Sequence, residues 1–312
     1  MAKRVYYGGQ AVIEGVMIRG PKTMAISCRN PEGAIVTRRQ KLSSIYTGLW
    51  RHVPFVRGAI ILWETLALGM RALMWSSSVA LGEEEKEDAG GAMWGMMIGS
   101  LVIVGGIFFA GPLLLADLLH DLLGSHLVVI VVEGIIRLAV IIAYVGLIGL
   151  IGDVRRVYEY HGAEHMTIHA YEAGDPLEAA HVRKHPTAHV RCGTSFLLTV
   201  VVVSIVVFAA VGHPDLWLRV LSRIVLIPVI ASIAYEFIRF GGAFESNPIT
   251  KILMWPNLAL QAITTKPPDD EQIEVALTAL REVLEAEEQL EEVAPVEARE
   301  AEEAMEAAPP LD

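Results

Sequence analysis

The 312-residue sequence has little charge and almost no cysteine. Charged residues make up 20% of the chain and hydrophobic residues 53%, with a mean hydropathy of +0.46. Soluble globular proteins are usually about a quarter charged, so the composition indicates a membrane protein. The two cysteines, Cys28 and Cys192, argue against a disulfide framework and favour a reducing, cytosol-facing environment.

Two further absences exclude other classes. The first thirty residues contain no apolar core of a signal peptide, so the sequence predicts neither cleavage nor export. The glycine-rich stretch 8–21 is not followed by the Gly-Lys-Ser/Thr of a Walker loop, which excludes that nucleotide-binding motif.

Long apolar runs predict a mainly α, polytopic membrane protein with about four transmembrane helices in a domain that covers 93–240. The predicted spans are 93–115, 127–151, 194–211 and 220–240. In the second span, Glu133 and Arg137 are one helical turn apart and neutralise each other. Such a pair is either a functional site within the membrane or a device that fixes the register of the helix.

The N-terminal residues 1–52 predict a small β-rich cytoplasmic segment. A turn at 30–33 separates two short strands, 24–29 and 34–39. This segment is either a cap over a site at the membrane surface or a plain β appendage. The side chains that would face the site are Gln10, Glu14 or Arg19.

Residues 53–82 predict an interfacial or re-entrant helix, because their charged residues recur every seven positions and form one stripe. These residues are Arg57, Glu64 and Arg71. An acidic solvated loop, 83–88, follows. After the last span, 241–290 predicts an interfacial segment followed by an amphipathic helix, and 291–312 an acidic disordered tail.

The distribution of Lys and Arg predicts the orientation. The connection 116–126 has no Lys or Arg, and 212–219 has only Arg219. The N-terminal segment and the His-rich loop 152–193 are basic. With four spans, the N-terminus, the His-rich loop and the C-terminus therefore all lie in the cytoplasm.

The His-rich loop carries the densest chemistry. If it is helical, His161 and His165 are one turn apart and chelate a single ion, as helices do in zinc sites. Glu164 would polarise a water molecule beside them, and the order His-x-x-Glu-His is the inverted zinc-protease motif. His189 and Cys192 are three residues apart and also suit zinc.

Several arrangements remain open. A closed structural site would use His161, His165, His189 and Cys192, whereas a catalytic site would use His161, His165 and one further ligand, with Glu164 as the base. By reach, the third ligand is a choice among Glu172, Asp175 and Glu236. A nucleophile reading pairs Cys192 or Ser195 with a histidine, and the plainest alternative is a cytosolic helix with surface histidines.

Four ordered motifs resemble the YqhQ-like family of bacterial membrane proteins. They are Gly-Gly-Gln-Ala-Val-Ile-Glu-Gly-Val-Met-Ile-Arg-Gly-Pro at 8–21, His-Gly-Ala-Glu-His at 161–165, His-x-Arg-Cys-Gly-Thr-Ser-Phe at 189–196, and Leu-Gln-x-x-Thr-Thr at 260–265 followed by Pro-Asp-Asp at 268–270. The resemblance covers about residues 5–285. It implies a metal-dependent enzyme of unknown function in the bacterial inner membrane. Asn257 departs from the Gly expected after Trp-Pro.

These patterns predict a zinc-dependent, hydrolase-like enzyme at the cytoplasmic membrane surface, with the lipid bilayer and a lipid or membrane-bound substrate as partners and no nucleic acid. Arg191 would bind an anionic group such as a lipid phosphate. One rival is a membrane scaffold or assembly factor that recruits a protein through its C-terminal helix. The other is a transporter or channel, against which no repeat relates the span pairs. Its path would be lined by Glu133, Arg137, Glu236 and Arg239.

Overall fold

The computed structural model describes residues 7–43, 46, 48, 53–82, 90–212, 214–244 and 247–306. Within these, the side chains of 90–94, 96, 97, 101, 120, 121, 195, 216 and 291–306 are not described. The predicted acidic loop 83–88 and the last residues of the predicted tail, 307–312, lie outside the described part.

The N-terminal segment forms a four-stranded antiparallel sheet in the order β1-β2-β3-β4. The strands are β1 (Gly8–Val12), β2 (Gly15–Arg19), β3 (Thr23–Arg29) and β4 (Ile35–Lys41). The predicted turn closes the β3–β4 hairpin, because the Asn30 N–H donates to the Ala34 carbonyl at 2.9 Å and Gly33 adopts φ 84°. The glycine-rich stretch supplies β1 and β2. The β-rich segment is confirmed.

Helices make up most of the rest of the described chain, which confirms the mainly α prediction. They are α1 (Val56–Ala80), α2 (Gly90–Gly105), α3 (Gly111–Leu118), α4 (His120–Leu123), α5 (His126–Ile148), α6 (Gly152–Ala173), α7 (Ala179–Val182), α8 (Gly193–Val211), α9 (Leu216–Val225), α10 (Ile227–Ala243), α11 (Pro248–Thr264) and α12 (Asp270–Glu306). A π-helical turn, Gly106–Ala110, joins α2 to α3.

Three described helices are long and apolar enough to cross a membrane, and a bent pair brings the number to four. Two of them, Ile98–Leu118 and His126–Ile148, match the first two predicted spans. The third predicted span is a shorter apolar helix, Phe196–Val211. The third long helix is Val56–Ala80, which the sequence predicts to be interfacial or re-entrant.

The predicted fourth span, 220–240, is broken rather than straight. Helices α9 and α10 meet at Leu226 with a bend of 46°. Pro228 lies in the first turn of α10, where its ring has no N–H to continue the hydrogen bonds of α9. Pro228, which lies inside the predicted single span, therefore belongs to the start of a second helix.

The charged stripe of α1 mostly packs inward. Arg57 Nε donates to Glu236 of α10 at 2.7 Å, and Arg19 Nε of β2 donates to Glu64 at 2.7 Å. Arg71 is exposed. Glu236 therefore pairs with Arg57 of α1. It does not line a transport path together with Glu133.

The predicted pair of Glu133 and Arg137 is present, with Arg137 Nη2 donating to Glu133 at 2.6 Å. Arg223 of α9 also donates to Glu133 at 2.7 Å, so one buried carboxylate joins two guanidinium groups. Arg137 also donates to Ser204 of α8 at 3.2 Å. These contacts connect α5, α8 and α9. They favour the hypothesis that the pair fixes the register of the helices over the hypothesis that it lines a transport path.

Within the predicted His-rich loop 152–193, residues 152–173 form helix α6, as the spacing of His161 and His165 requires, and residues 179–182 form α7. One face of the sheet, α6 and α12 share a core. Its largest buried members include Val16, Ile18, Tyr160, Ile168, Ile273 and Leu280. The other face of the sheet packs on Leu68 and Ala72 of α1. Helix α6 thus packs against the sheet and α12, and its first residue follows shortly after the end of α5.

The C-terminal region differs from the prediction in two ways. Helix α12 continues to Glu306, so residues 291–306 are helical where a disordered tail was expected; Ala and Glu, which dominate there, are strong helix formers. The apolar face of α12 is buried in the core and is not free for a partner. Asn257 lies inside α11 and donates to Thr199 at 3.2 Å, so no turn forms there.

Glu287 fastens α12 to the sheet. Its carboxylate accepts the backbone N–H groups of Lys22 and Thr23, each at 2.7 Å, and the Thr23 hydroxyl at 2.8 Å. Because Glu287→Ala leaves buried donors without an acceptor, we expect it to lower the free energy of unfolding by about 2–3 kcal/mol. Thermal unfolding of purified protein measures this, with exposed Glu288→Ala as the control. Equal melting temperatures for the two variants would contradict it.

Candidate metal centre

Two histidines of α6 face one point because the helix brings residues four apart onto one side. The rings of His161 and His165 have centroids 4.4 Å apart. The surrounding residues 162–168 are all buried, so the site is not a row of surface histidines. The helical arrangement that the spacing required is confirmed.

Backbone carbonyls orient both rings. His161 Nδ1 donates to the Thr264 carbonyl at 2.9 Å, and His165 Nδ1 donates to the Thr187 carbonyl at 2.5 Å. A carbonyl only accepts, so the proton of each neutral ring lies on Nδ1 and each Nε2 keeps a free lone pair. Histidines that bind metals are held in this way by the opposite ring nitrogen.

Cys192 completes a group of three. It caps the N-terminus of α8, where its Sγ accepts the Thr194 N–H at 3.3 Å. The same sulfur lies 3.2 Å from His161 Nε2. A ligand atom from each of His161, His165 and Cys192 lies within 4.8 Å of the others. This span is roughly twice a zinc–ligand bond of about 2.0–2.3 Å.

His189 lies beside this group, but both of its ring nitrogens have other partners. Its Nδ1 accepts the Arg191 N–H at 3.2 Å, which leaves the proton on Nε2, and Nε2 faces Glu172 at 3.5 Å. The predicted closed set of four therefore separates into three residues that converge and one neighbour. Gln261 holds the His189 backbone with two hydrogen bonds, of 2.8 and 2.9 Å.

Arg191 is paired within the protein, since its guanidinium donates to Glu172. Burial raises the pKa of Glu172, but the hydrogen bond from His189 and the charge of Arg191 outweigh it and lower that pKa overall. The positive charge expected to bind an anion is therefore balanced by a neighbouring carboxylate.

Glu164 lies next to the converging ligands. Its Oε2 is 3.4 Å from His165 Nε2, and its side chain packs so closely on Gly9 of β1 that a Cβ there would lie 2.7 Å from Glu164 Cγ. Burial raises the pKa of Glu164 and lowers the pKa of His165. A carboxyl with a raised pKa beside neutral imidazoles has the properties of an acid–base group.

The other acidic candidates lie elsewhere. Glu172 contacts His189 and Arg191, Asp175 contacts His185 at 2.8 Å, and Glu236 contacts Arg57. The converging set thus takes its third member from Cys192. The side chain of Ser195, named in the nucleophile reading, lies outside the described residues.

A cavity of about 420 Å³ adjoins the ligands. Its polar wall includes His161, Glu164, His165, Cys192, Gln10 and Arg19. Glu14 does not line it and instead pairs with Arg156 through two hydrogen bonds of 2.6 Å. The N-terminal sheet therefore closes one side of the cavity, in agreement with the cap reading and not with a plain appendage.

Sequence reasoning missed the residues that orient the site. The Thr187 and Thr264 carbonyls are backbone groups, and no side-chain pattern reveals them. Gln261 and Thr264 belong to the Leu-Gln-x-x-Thr-Thr motif, which had no assigned role. The motif was the available signal, and its role follows only from the contact between the C-terminal end of α11 and α6.

Comparison with known proteins agrees with the resemblance. Residues 53–286 match the family described as "Protein of unknown function (DUF1385)", and the chain belongs to this family. A relative described as "Uncharacterized protein YqhQ", from Bacillus subtilis (strain 168), is 33% identical over 299 residues, which cover 90% of this chain and 93% of the relative. No solved structure matches the chain.

Gly162 allows the close approach that positions His161. A Cβ at Gly162 would lie 2.1 Å from the Lys266 carbonyl oxygen, two residues beyond the carbonyl that orients His161. We expect Gly162→Ala to force α6 away from this segment and to cost about 1–3 kcal/mol in the free energy of unfolding. Thermal unfolding measures the loss. Gly152→Ala, where nothing lies within 4 Å, is the control; comparable losses in both variants would refute the explanation.

Proposed function

We propose that the protein is a zinc-dependent hydrolase of the inner membrane, with its site at the cytoplasmic surface. The observation that carries the proposal is the convergence of one ligand atom each from His161, His165 and Cys192, with both Nδ1 atoms held by carbonyls. Two imidazoles and a thiolate fit zinc, and three protein ligands leave a position for substrate, as in catalytic zinc sites.

The residues divide the chemistry between them. When bound, zinc supplies Lewis acidity toward a carbonyl oxygen or a water molecule. Glu164 takes a proton from the attacking water and returns it to the leaving group, a role that its raised pKa supports. Glu172 and Arg191 hold the loop that carries His189, and His189 flanks the site.

Metal analysis of the purified protein tests the ligands. We expect about one zinc per chain. His161→Ala with His165→Ala should abolish it and Cys192→Ala should reduce it, whereas His189→Ala should retain it because both nitrogens of His189 have other partners. His181→Ala serves as the control. Loss of zinc in His189→Ala to the same extent as in Cys192→Ala would favour the closed four-ligand site instead.

Hydrolysis assays test the role of Glu164. The assay uses zinc-loaded protein in nanodiscs with acyl esters as substrates. Glu164→Gln should lower the turnover of the esters by about 10²–10⁴-fold and leave the zinc content of the protein unchanged. Glu172→Gln, which removes a carboxylate outside the converging set, should have a smaller effect. A zinc-loaded protein that hydrolyses none of the esters, with or without Glu164, would support the scaffold with a structural metal.

The fold supports the placement of the N-terminal sheet, the site and α12 on one side of the membrane. The sheet, α6 and α12 share one core and so lie on the same side of any membrane. Helix α1 packs on that sheet from Leu68 onward. Only residues 56–67, about 18 Å of helix at 1.5 Å per residue, remain for insertion, and this is too short to cross a hydrocarbon core of about 30 Å. A re-entrant α1 follows, with four spans.

Labelling of single cysteines in intact bacterial cells tests this topology. Exposed Glu32→Cys and Ala180→Cys should resist a membrane-impermeant maleimide, and exposed Ser125→Cys, between α4 and α5, should react. After the membrane is permeabilised, all three should react. Reaction of Ala180→Cys in intact cells would reverse the proposed orientation.

A further inference from the structure

The cavity beside the ligands has an apolar wall made by three helices. Its apolar residues are Ile61, Leu62 and Leu68 of α1, Phe196 of α8, and Tyr235 and Ile238 of α10. On α1 the lining positions recur at helical spacing, so one face of the helix forms this wall. The wall extends about 15 Å from Gly58 to Leu68, at 1.5 Å per residue.

The cavity has a closed end and an open side. Gly58 packs directly on α10, since a Cβ there would lie 2.5 Å from Ser232 Cα, and Arg57 pairs with Glu236 beside it. Thr65, in contrast, is exposed, and Ile61 and Ile238 are only partly buried. The exposed residues that follow Thr65 and precede Ile238 in the sequence, Leu66 of α1 and Phe237 of α10, are apolar. An opening edged by such residues faces a hydrocarbon environment more favourably than water.

The polar end of the cavity carries balanced charge. Arg19 pairs with Glu64 and Arg191 with Glu172, so both guanidinium groups at the wall have carboxylate partners. A doubly anionic phosphate head group requires cations that are not already neutralised in this way. A carbonyl or single carboxylate, next to the converging ligands, matches the wall better.

We propose that the cavity binds a single aliphatic acyl chain that enters from the membrane, with its carbonyl end at His161, His165 and Cys192 and its hydrocarbon against α1 and α10. This rests on the proposed function for the reaction at the carbonyl, but the binding of the chain does not require a metal. The volume of about 420 Å³ lies in the lower part of the range of about 300–1,000 Å³ for small-molecule sites and suits one chain rather than a two-chain lipid.

Photolabelling in nanodiscs tests the proposal with metal-free protein and with zinc-loaded protein. The probe is a fatty acid with a diazirine in its chain, and mass spectrometry locates the crosslinks. We expect crosslinks at Phe196 and Ile238 in both preparations, besides background crosslinks at exposed Trp63 and Trp255. A phospholipid that carries the same diazirine chain should label only the exposed pair.

Two matched variants separate the cavity from the outer surface. Leu62→Trp places a larger side chain in the cavity and should lower the crosslinks at Phe196 and Ile238 at least five-fold. Leu66→Trp, at an exposed position of the same helix that does not line the cavity, should change them less than two-fold. Thermal unfolding should show both variants folded, and the crosslinks at Trp255 should not change.

The outcomes distinguish the two proposals. Absence of crosslinks at Phe196 and Ile238, or crosslinks there that persist in folded Leu62→Trp, would overturn acyl-chain binding whatever the zinc content. Equal labelling of Phe196 and Ile238 by the phospholipid would overturn the assignment to a single chain. Crosslinks that follow the expected pattern in a protein that binds no zinc would support the acyl site and refute only the zinc hydrolase.

Discussion

The candidate site depends on two hydrogen bonds from imidazole nitrogens to backbone carbonyls. They fix the tautomers of His161 and His165 and leave each Nε2 without a proton, and the Nε2 of His161 lies 3.2 Å from Cys192 Sγ. The carbonyls belong to Thr264, at the end of α11, and to Thr187, in the segment before α8. The packing of those two segments on α6 therefore determines whether the ligands converge.

Much of the fold serves to hold these segments. The sheet covers one side of α6 and contacts Glu164 through Gly9. Gln261 binds the backbone of the segment that follows Thr187. Burial also explains the electrostatics, because it is the largest effect that raises the pKa of Glu164 and lowers the pKa of His165. The core that the sheet shares with α6 and α12 thus shapes a site at the edge of the apolar helices.

Sequence patterns predicted the features that depend on local periodicity. The β3–β4 hairpin, the apolar spans and the i, i+4 histidine pair all follow from spacing along the chain. The break before Pro228 and the helical continuation of 291–306 were missed, because the first depends on which side of a helix boundary the proline lies and the second on the continuation of α12 beyond the part that packs in the core.

The site was predicted in part. His161, His165 and Cys192 converge, whereas His189 and Arg191 have another partner that no local pattern reveals, since Glu172 contacts both from about two turns beyond His165 on α6. The apolar wall of the cavity was also beyond reach, because it requires α1 to return to the sheet. The partners of His189 and Arg191 and the apolar wall all depend on contacts between residues that are far apart in the sequence. Such contacts cannot be predicted from the local patterns of a single sequence.

X-ray absorption at the zinc edge of purified protein tests the central claim most directly. The account predicts two nitrogen ligands at about 2.0–2.1 Å and one sulfur ligand at about 2.3 Å, with the sulfur contribution absent in Cys192→Ser. A spectrum with no sulfur in the wild-type protein, or with the sulfur unchanged in Cys192→Ser, would contradict the convergence of His161, His165 and Cys192 on one ion.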